Sequence, residues 1–544
     1  MVKKIFYGVP IYIIDNGIQV FDALVVVNGI VEFTGSFEEA MRLYPDASRV
    51  EIKEGCIVPG FIDAHINLEE LCYYYKDGVL DGVEDIRELV EVVGGVVKER
   101  KSNDLLVFGG VENELIKKIN RETLDTISAE KPVVLFSDDL QLATCNSKAL
   151  EILSITRDRK DPYLGRIVRD NNGRPTGLLL GRAVEMLRRH VLSQRLRGIP
   201  LKLQKILSML SSKGITAVCD FGFSSGMIYR HLFRLCVDGE CSVRFILMYN
   251  VEDWARLTPF GLGSGFGNEI MRFGGCYFEL DGGLESQTAY LRKRYRDTGA
   301  SGILMVDEDA LRKDVKKMYN SGVWTSLGCS GDGACEIAIK VFDSILSSRS
   351  GRNAFCRMDS GCVLEDGDVD DIARLNINMV VSPGRAVKER MFAIKAMGKD
   401  AGKAFRIKSL LSMGINVGFG SWAPYLPIDP IKQMYYAVER RSPGEGPELR
   451  FFPKERITIE DALYCTTKGS AVVCGIDGFT GSLLPGKRAD FIHLSENIIE
   501  YDADKLIGTR VLATYISGEK VYERKGRNGE KGNSDSRISD ESQE

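Results

Sequence analysis

Apolar, strand-like segments alternate with amphipathic segments along most of this chain, and this alternation restricts the possible folds more than any other feature of the sequence. The eight strand-like segments are the one that ends at Ala64, Thr216–Phe221, Val243–Tyr249, Gly275–Leu280, Val323–Leu327, Ala354–Met358, Asn378–Val381 and Ile415–Phe419. The clearest helical segments between them are Glu308–Asn320, Ala334–Ser348, Asp368–Leu375 and Arg406–Met413. Gly322 and Gly414 follow two of these helices, as C-cap glycines do. Eight alternating βα units predict a closed parallel (β/α)8 barrel of the TIM type, with its functional residues at the carboxyl ends of the strands.

The two ends of the chain have a different pattern, that of short strands joined by tight turns. Residues 3–35 contain β-branched runs around Asp15-Asn16-Gly17 and Val27-Asn28-Gly29, which are turn sequences. Ser482–Ile492 and Thr514–Tyr522 also have strand character. We therefore expect β-structure at both ends of the chain, outside the barrel.

A long segment separates the first barrel strand from the second. Within it, Val83–Val93 has the spacing of an amphipathic helix, whereas Lys131–Phe136 and Leu178–Leu180 are apolar and strand-like. This mixture predicts an α+β subdomain inserted beside the barrel mouth. Residues 525–544 are rich in Gly, Ser, Asn and charged residues and have no apolar pattern, which predicts a disordered tail.

Composition sets limits on the partners and the compartment. The chain has 544 residues, 44% of them hydrophobic, and a formal net charge of −4, so neither nucleic acid nor a membrane surface is an expected partner. No apolar run is long enough to span a bilayer. The 13 cysteines include no Cys-x-x-Cys pair, which favours free thiols and a cytoplasmic location. A homodimer is compatible with these features.

The segment Val58–Leu68 is the most informative local motif. It starts as a buried strand and ends in polar residues, so His65 and Asn67 stand two residues apart on one face of a strand end. Nitrogen and oxygen donors at such a position are typical of a metal site in a barrel enzyme. The segment resembles the first metal motif of the amidohydrolase superfamily, Pro-Gly-Phe-Ile-Asp-x-His-x-His, except that Asn67 replaces the second His.

Three further segments carry the same resemblance: Asp281–Ala289, Pro424–Pro430 and Pro485–Asp490. The first of them is similar to the Asp-Gly-Ser-Leu-Gly-Ser-Arg-Thr-Ala segment of the formamide-deformylase-like branch. The resemblance implies a metal-dependent hydrolase of non-peptide C–N bonds that uses one or two divalent metals such as zinc.

The resemblance also implies a small β-sandwich built from both termini, and with the segments above it sets the expected domain limits. Residues 1–56 and 478–524 are predicted to form the two parts of the sandwich. Residues 57–70 are predicted to hold the first barrel strand and residues 201–477 the rest of the barrel. Residues 71–200 are predicted to be the inserted subdomain.

Most positions that the family uses for metal and catalysis hold residues of another kind. One of six keeps its residue, and that is His65. The others hold Asn67 and Ser360 in place of His, Tyr277 in place of the carboxylated Lys, Gly328 in place of His, and Trp422 in place of the catalytic Asp. A catalytic zinc needs about three protein ligands and an open position for water, and an indole cannot act as the base that a carboxylate provides.

These exchanges lead to two principal hypotheses. The first is a degenerate amidohydrolase that binds a small molecule in the old mouth without metal-dependent hydrolysis, with Trp422, Tyr277 and Tyr425 either lining a pocket or plugging it. The second is an active hydrolase with a rebuilt site near His65. Either carboxylates among Asp63, Asp281, Asp332 and Asp359 hold a hard cation, or His65 and the thiol of Cys329 form a nucleophilic pair that needs no metal. The side chains expected to line the mouth are Asp63, Asp281, Asp332, Arg357, Asp359 and Tyr425.

A third, narrower hypothesis concerns cysteine. Cys329, Cys335, Cys356 and Cys362 form two pairs that each enclose five residues, which is wider than usual zinc spacing. The third hypothesis is a structural metal held by these four thiols, and the alternative is that all four are free, buried cysteines.

Overall fold

A computed structural model describes residues 2–15, 17–77, 80, 83, 85–100, 104–137, 142–162, 165–194, 199–222, 226–257, 261–346, 355–500 and 502–524. The predicted tail, residues 525–544, lies outside the described residues. The strands are β1 (Lys3–Asp15), β2 (Gly17–Val27), β3 (Ile30–Gly35), β4 (Ser48–Glu51), β5 (Cys56–Pro59), β6 (Phe61–Ile66), β7 (Leu106–Val111), β8 (Val133–Ser137), β9 (Leu142–Cys145), β10 (Gly165–Arg169), β11 (Pro175–Gly181), β12 (Ile215–Asp220), β13 (Arg244–Tyr249), β14 (Met271–Glu279), β15 (Thr325–Cys329), β16 (Cys356–Ser360), β17 (Asn378–Val381), β18 (Val417–Phe419), β19 (Phe491–Leu494), β20 (Val511–Ile516) and β21 (Glu519–Glu523).

The helices of the described residues are α1 (Phe37–Leu43), α2 (Leu68–Asp77), α3 (Ile86–Glu99), α4 (Asn113–Ile116), α5 (Arg121–Ile127), α6 (Ser147–Ile152), α7 (Arg182–Gln194), α8 (Ile199–Ser212), α9 (Gly226–Val237), α10 (Val251–Leu257), α11 (Glu308–Asn320), α12 (Asp332–Leu346), α13 (Asp366–Arg374), α14 (Pro383–Lys388), α15 (Arg390–Met397), α16 (Ile407–Ser412), α17 (Pro430–Glu439), α18 (Ile459–Thr466), α19 (Lys468–Val473) and α20 (Ala503–Leu506). Three short 3₁₀ turns lie at Gly398–Lys403, Pro447–Leu449 and Pro453–Glu455. In the part of the chain that the structure covers, no helix is both long and apolar enough to cross a membrane.

Eight parallel strands form the barrel sheet, in the order β18-β17-β16-β15-β14-β13-β12-β6. The two edge strands approach each other through a parallel bridge between Ile66 and Ala423. Two backbone hydrogen bonds strengthen this contact, from Trp422 N to His65 O (2.9 Å) and from Asn67 N to Ala423 O (3.0 Å). The sheet is thereby nearly closed, and the predicted barrel is confirmed. All strand ends that carry candidate site residues consequently meet at one mouth.

Strands from both ends of the chain share a second sheet, with the order β21-β20-β19-β5-β1-β2-β3 and β4 paired to β1. The turn between β2 and β3 places Asn28 at φ 50° and Gly29 at φ 83°, the left-handed conformation that a tight hairpin requires. These strands form one hydrogen-bonded sheet, whereas a sandwich consists of two packed layers. The predicted sandwich and the predicted domain limits therefore stay predictions. The segment between β6 and β12 contains a third sheet, of order β10-β11-β9-β8-β7.

Helix ends agree with the sequence where a cap marks them. The predicted Glu308–Asn320 coincides with α11, which begins after Asp307, whose side chain accepts a hydrogen bond from Ala310 N. Gly322 and Gly414 have φ values of 71° and 73°, as expected for C-cap glycines. By contrast, the predicted strand Gly275–Leu280 is Met271–Glu279 in the structure. Met271 and Arg272 pair with Phe245 and Ile246 of β13, and this pairing cannot be predicted from local strand propensity.

Candidate functional site

The carboxyl ends of the barrel strands surround a cavity of about 110 Å3. Nine residues singled out from the sequence line it: His65, Asn67, Tyr277, Asp281, Gly328, Cys329, Ser360, Trp422 and Tyr425. Four predicted lining residues, Asp63, Asp332, Arg357 and Asp359, are not among the described lining residues. All four are buried, and each has a hydrogen-bond or ion-pair partner.

The His65 ring is held between two aromatic rings. It stacks on Phe221 with the ring centres 3.9 Å apart and on Trp422 with the ring centres 4.3 Å apart. Its Nδ1 lies 3.4 Å from Oδ1 of Asp359. Burial lowers the pKa of His65 although Asp359 acts in the opposite direction, so the neutral imidazole is favoured.

Asp359 belongs to a buried ion pair rather than to an open metal site. Arg357 donates from Nη2 to Oδ1 (2.6 Å) and from Nε to both carboxylate oxygens (3.1 and 3.2 Å). Ser326 Oγ donates to Oδ2. Burial alone would raise the pKa of Asp359, but Arg357 and His65 together hold it below its usual value. Arg357 also donates to the carbonyl oxygens of Ala64 (2.5 Å) and Val473 (3.2 Å), so the pair joins three parts of the barrel.

Asn67 has a structural role at the start of α2. Its Oδ1 accepts a hydrogen bond from Glu70 N at 2.9 Å, which is the arrangement of a helix N-cap. The side-chain oxygen is therefore already used where the family has a metal-binding imidazole.

Tyr277 fills the space above Gly328. A Cβ atom added to Gly328 would lie 2.0 Å from the Tyr277 Oη and 2.6 Å from its Cζ, closer than any real contact. Burial, with nearby carboxylates, raises the pKa of Tyr277 well above its usual value, so the phenol stays protonated. The two exchanges thus depend on each other: the phenol of Tyr277 takes the volume that a side chain at position 328 would need.

Trp422 is fixed in a backbone conformation that is unusual for a large residue. Its φ is 56°, in the left-handed region that costs a residue with a Cβ about 1–2 kcal/mol. The hydrogen bond from its N–H to His65 O and the stacking on the His65 ring hold it there.

A second buried ion pair, Arg385–Glu389, lies beside the cavity, which Arg385 lines. Arg385 donates to Glu389 through Nε (2.5 Å) and Nη2 (3.3 Å), and to Ser360 Oγ through Nη1 (2.6 Å). Tyr425 donates from its hydroxyl to Glu389 Oε1 at 2.8 Å. The Ser360 hydroxyl, where the family has a His, is therefore part of a polar network with its own arginine.

The remaining predicted carboxylates hold loops in place. Asp281 accepts hydrogen bonds from the backbone N–H groups of Tyr290 (2.8 Å), Ser330 (2.7 Å) and Gly331 (2.8 Å). Asp63 accepts from Ser421 N (2.9 Å) and His65 N (3.2 Å), and Asp332 accepts from Arg292 N (3.0 Å). Burial raises the pKa of Asp281 to about 7 and that of Asp63 to about 6, although the hydrogen bonds from backbone N–H groups act in the opposite direction. We assign all three to loop positioning.

The donors around His65 do not fit a divalent metal. Asp359 is neutralised by Arg357, Asn67 caps a helix, Tyr277 is a protonated phenol, and Trp422 is an indole. Throughout the described residues, no group of three or more His, Cys, Asp or Glu side chains is arranged to hold a metal ion. A catalytic zinc needs about three such ligands, and the side chains around His65 do not supply them.

The cysteine hypotheses also change with the structure. A hydrogen bond with Cys335 lowers the pKa of Cys329, but burial and nearby carboxylates together outweigh it, so the pKa is raised overall. The thiol is therefore favoured over the nucleophilic thiolate. The four-cysteine metal site is wrong for the described residues. Cys356 pairs with Thr325, four residues before Cys329 on β15, which separates their positions along the sheet by about 13 Å.

Sequence reasoning missed several residues at the mouth. Phe221, Arg385, Glu70 and Arg188 line the cavity, and Arg188 of α7 forms an ion pair with Glu70 of α2. Glu70, three residues after Asn67, had a detectable signal as a helix N3 residue. The sequence around Arg188 and Arg385 contains no comparable signal, because only the folding of distant segments brings them to the mouth.

The carboxyl group of Asp220, at the end of β12, makes stability depend on pH. Its Oδ1 accepts from Leu68 N (2.9 Å) and Gly222 N (3.1 Å), while Oδ2 has no hydrogen-bond partner within the described residues. Burial, with some help from Glu69, raises its pKa to about 7. The folded state therefore retains a proton that the unfolded state loses near pH 4, and stability falls as pH rises from about 4 to about 7.

We predict that Asp220→Asn removes this loss. The free energy of unfolding of the variant, relative to the parent, should rise by up to about 4 kcal/mol between pH 4 and pH 7.5, since one pKa unit corresponds to about 1.4 kcal/mol. Urea denaturation of both proteins across this pH range measures the difference. A difference that stays constant with pH would show that Asp220 is ionised in the folded protein.

Comparison with known proteins places this geometry in a family. The family model described as "Amidohydrolase family" matches residues 51–522. The chain is 26% identical over 528 residues to "Protein LONG AFTER FAR-RED 3" of Arabidopsis thaliana, covering 94% of this chain and 90% of that protein. It is 25% identical over 548 residues to "N-substituted formamide deformylase" of Arthrobacter pascens, covering 93% of this chain and 95% of that protein.

A solved structure agrees at the level of fold. An uncharacterized metal-dependent hydrolase from Pyrococcus horikoshii superposes with a TM-score of 0.76 at 24% identity, covering 92% of this chain and 99% of that one. The barrel, its mouth and the match across most of the sequence agree, and the chain belongs to the amidohydrolase family.

Proposed function

We propose that this protein binds a small molecule at the barrel mouth and has lost the metal-dependent hydrolysis of non-peptide C–N bonds. The observation that supports this most strongly is the filling of the former metal corner by Tyr277 above Gly328 and by Trp422 on His65. Both aromatic side chains take space that a metal, its ligands and the attacking water would need.

The residual cavity supports binding rather than a complete plug. It has aromatic walls together with polar and charged groups, among them the hydroxyl of Ser360 and the guanidinium of Arg385, which could orient a ligand. Its volume of about 110 Å3 suits only a small compound. The relative from Arthrobacter pascens is named as a deformylase of N-substituted formamides. Formamides are thus the first compounds to screen as ligands.

The alternative of a hydrolase rebuilt around His65 has less support. Its thiol version needs a Cys329 thiolate, which the raised pKa of that thiol opposes. Its carboxylate version would use Asp63, Asp281, Asp332 or Asp359. Arg357 already pairs with Asp359, and the other three accept hydrogen bonds from backbone N–H groups.

The test combines metal content, turnover and binding. Protein purified without chelators should hold far less than one zinc per chain, and added zinc should give no hydrolysis of N-substituted formamides. Ligands should quench tryptophan fluorescence in the parent protein but not in Trp422→Phe, because Trp254 and Trp324 are not among the residues that line the cavity. Zinc-dependent hydrolysis that disappears in His65→Ala would contradict the proposal.

A further inference from the structure

Two of the thirteen cysteines differ from all the others in exposure. Cys236 and Cys241 are half-buried, whereas the other eleven are buried. Their sulfur atoms lie 2.7 Å apart. Bonded sulfurs lie at about 2.05 Å, so the two thiols are in direct contact but not bonded, and only a short approach is needed to form a disulfide.

The turn after α9 holds the two sulfurs together. Glu240 N donates to Leu235 O at 2.9 Å, and Gly239 adopts a φ of 74°, which is the usual way to end a helix. This turn reverses the chain so that Cys241 returns beside the last turn of the helix. The geometry is local, formed by residues 235–241, and does not depend on the barrel mouth.

We propose that Cys236 and Cys241 form a redox-active dithiol that is converted to an intramolecular disulfide by exchange with a small-molecule disulfide. The Cys236 thiolate attacks one sulfur of the small disulfide, forms a mixed disulfide and releases one thiolate. The Cys241 thiolate then attacks the Cys236 sulfur, closes the intramolecular disulfide and releases the second thiolate. Two electrons pass from the protein to the small disulfide, and the two protein thiol protons go to solvent.

The order of the two attacks follows from the environment of each sulfur. The hydrogen bond with Cys241 lowers the pKa of Cys236, and this effect outweighs the rise caused by partial burial. The same hydrogen bond raises the pKa of Cys241. The thiolate is the attacking species in thiol–disulfide exchange, so Cys236 reacts first and Cys241 resolves the mixed disulfide.

The test uses the full-length protein equilibrated in glutathione buffers of graded redox potential, quenched with acid, alkylated after unfolding and digested with trypsin. Cleavage after Arg234 and Arg244 releases both cysteines in the single peptide 235–244. With increasing oxidised glutathione, we expect this peptide to become resistant to alkylation and lighter by two hydrogen atoms. Peptides that carry the buried cysteines should stay fully alkylated.

Two variants separate this mechanism from general thiol reactivity. Cys241→Ser should accumulate a stable glutathione adduct on Cys236, because the resolving thiol is missing, whereas Cys236→Ser should form several-fold less adduct on Cys241. Cys145→Ser, in a buried position of the inserted sheet, is the control and should leave the cross-linked peptide unchanged. The proposal is overturned if both thiols of the parent stay alkylatable in fully oxidised glutathione, or if either cysteine pairs with a different one.

Discussion

Replacing Arg357 by methionine should lower the free energy of unfolding by about 3–5 kcal/mol. The substitution leaves the Asp359 carboxylate buried without its cation, and an unpaired buried charge is among the most costly defects in a protein interior. Both side chains are almost fully buried, with relative exposures of 2% and 0%, so solvent screens little of this effect. Urea denaturation at pH 7, followed by tryptophan fluorescence, measures it, since Trp254, Trp324 and Trp422 all lie within the barrel segment.

Two further variants show whether the charge itself is responsible. Arg374→Met removes an arginine that is 54% exposed and paired with Asp371, and should leave the denaturation midpoint unchanged. Adding Asp359→Asn to Arg357→Met should recover part of the lost stability, since the amide oxygen can still accept from Ser326 and no charge remains. If Arg357→Met is no worse than Arg374→Met, the assignment of a buried ion pair is wrong.

Gly328→Ala should destabilise the protein by about 1–3 kcal/mol, although it adds one methyl group. The new Cβ would lie 2.0 Å from the Tyr277 hydroxyl, and overpacking of a filled interior costs this much. In a Tyr277→Ala background the phenol is absent, so the same substitution should cost almost nothing.

The double-mutant cycle of positions 277 and 328 therefore has a predicted sign. The coupling free energy should be at least about 1 kcal/mol, with the double variant no less stable than Tyr277→Ala alone. Gly367→Ala serves as the control, since a Cβ there meets no atom within 4 Å, and it should show no coupling to Tyr277. Additive effects at positions 277 and 328 would mean that the phenol does not fill the space above Gly328.

Local chemistry in the sequence was enough to predict the barrel and several of its helices. The α11 ends are encoded by Asp307 at its start and Gly322 after its end, both of which act within a few residues. The predicted start of β14 was less accurate, because Met271 and Arg272 adopt strand structure only by pairing with β13.

The site was predictable only as a set of exchanged residues. The sequence named His65, Asn67, Tyr277, Gly328, Ser360 and Trp422, and the structure brings them to one cavity. It could not tell that Asp63, Asp332, Arg357 and Asp359 are used in buried hydrogen bonds and ion pairs. The surroundings of a strand-end carboxylate depend on partners that can be hundreds of residues away, as the hydrogen bond from Ser421 N to Asp63 illustrates.

The sequence by itself therefore determined the family, the barrel and which residues stand at the positions where the resemblance places metal ligands, because strand and helix periodicity and short motifs are local properties. Only the tertiary structure decided how those positions are arranged: His65 between two aromatic rings, the Arg357–Asp359 pair next to it, and the phenol of Tyr277 above Gly328. Arg357 and Asp359 are neighbours on β16, but the other contacts join different segments of the barrel, and their distances arise only when the barrel closes.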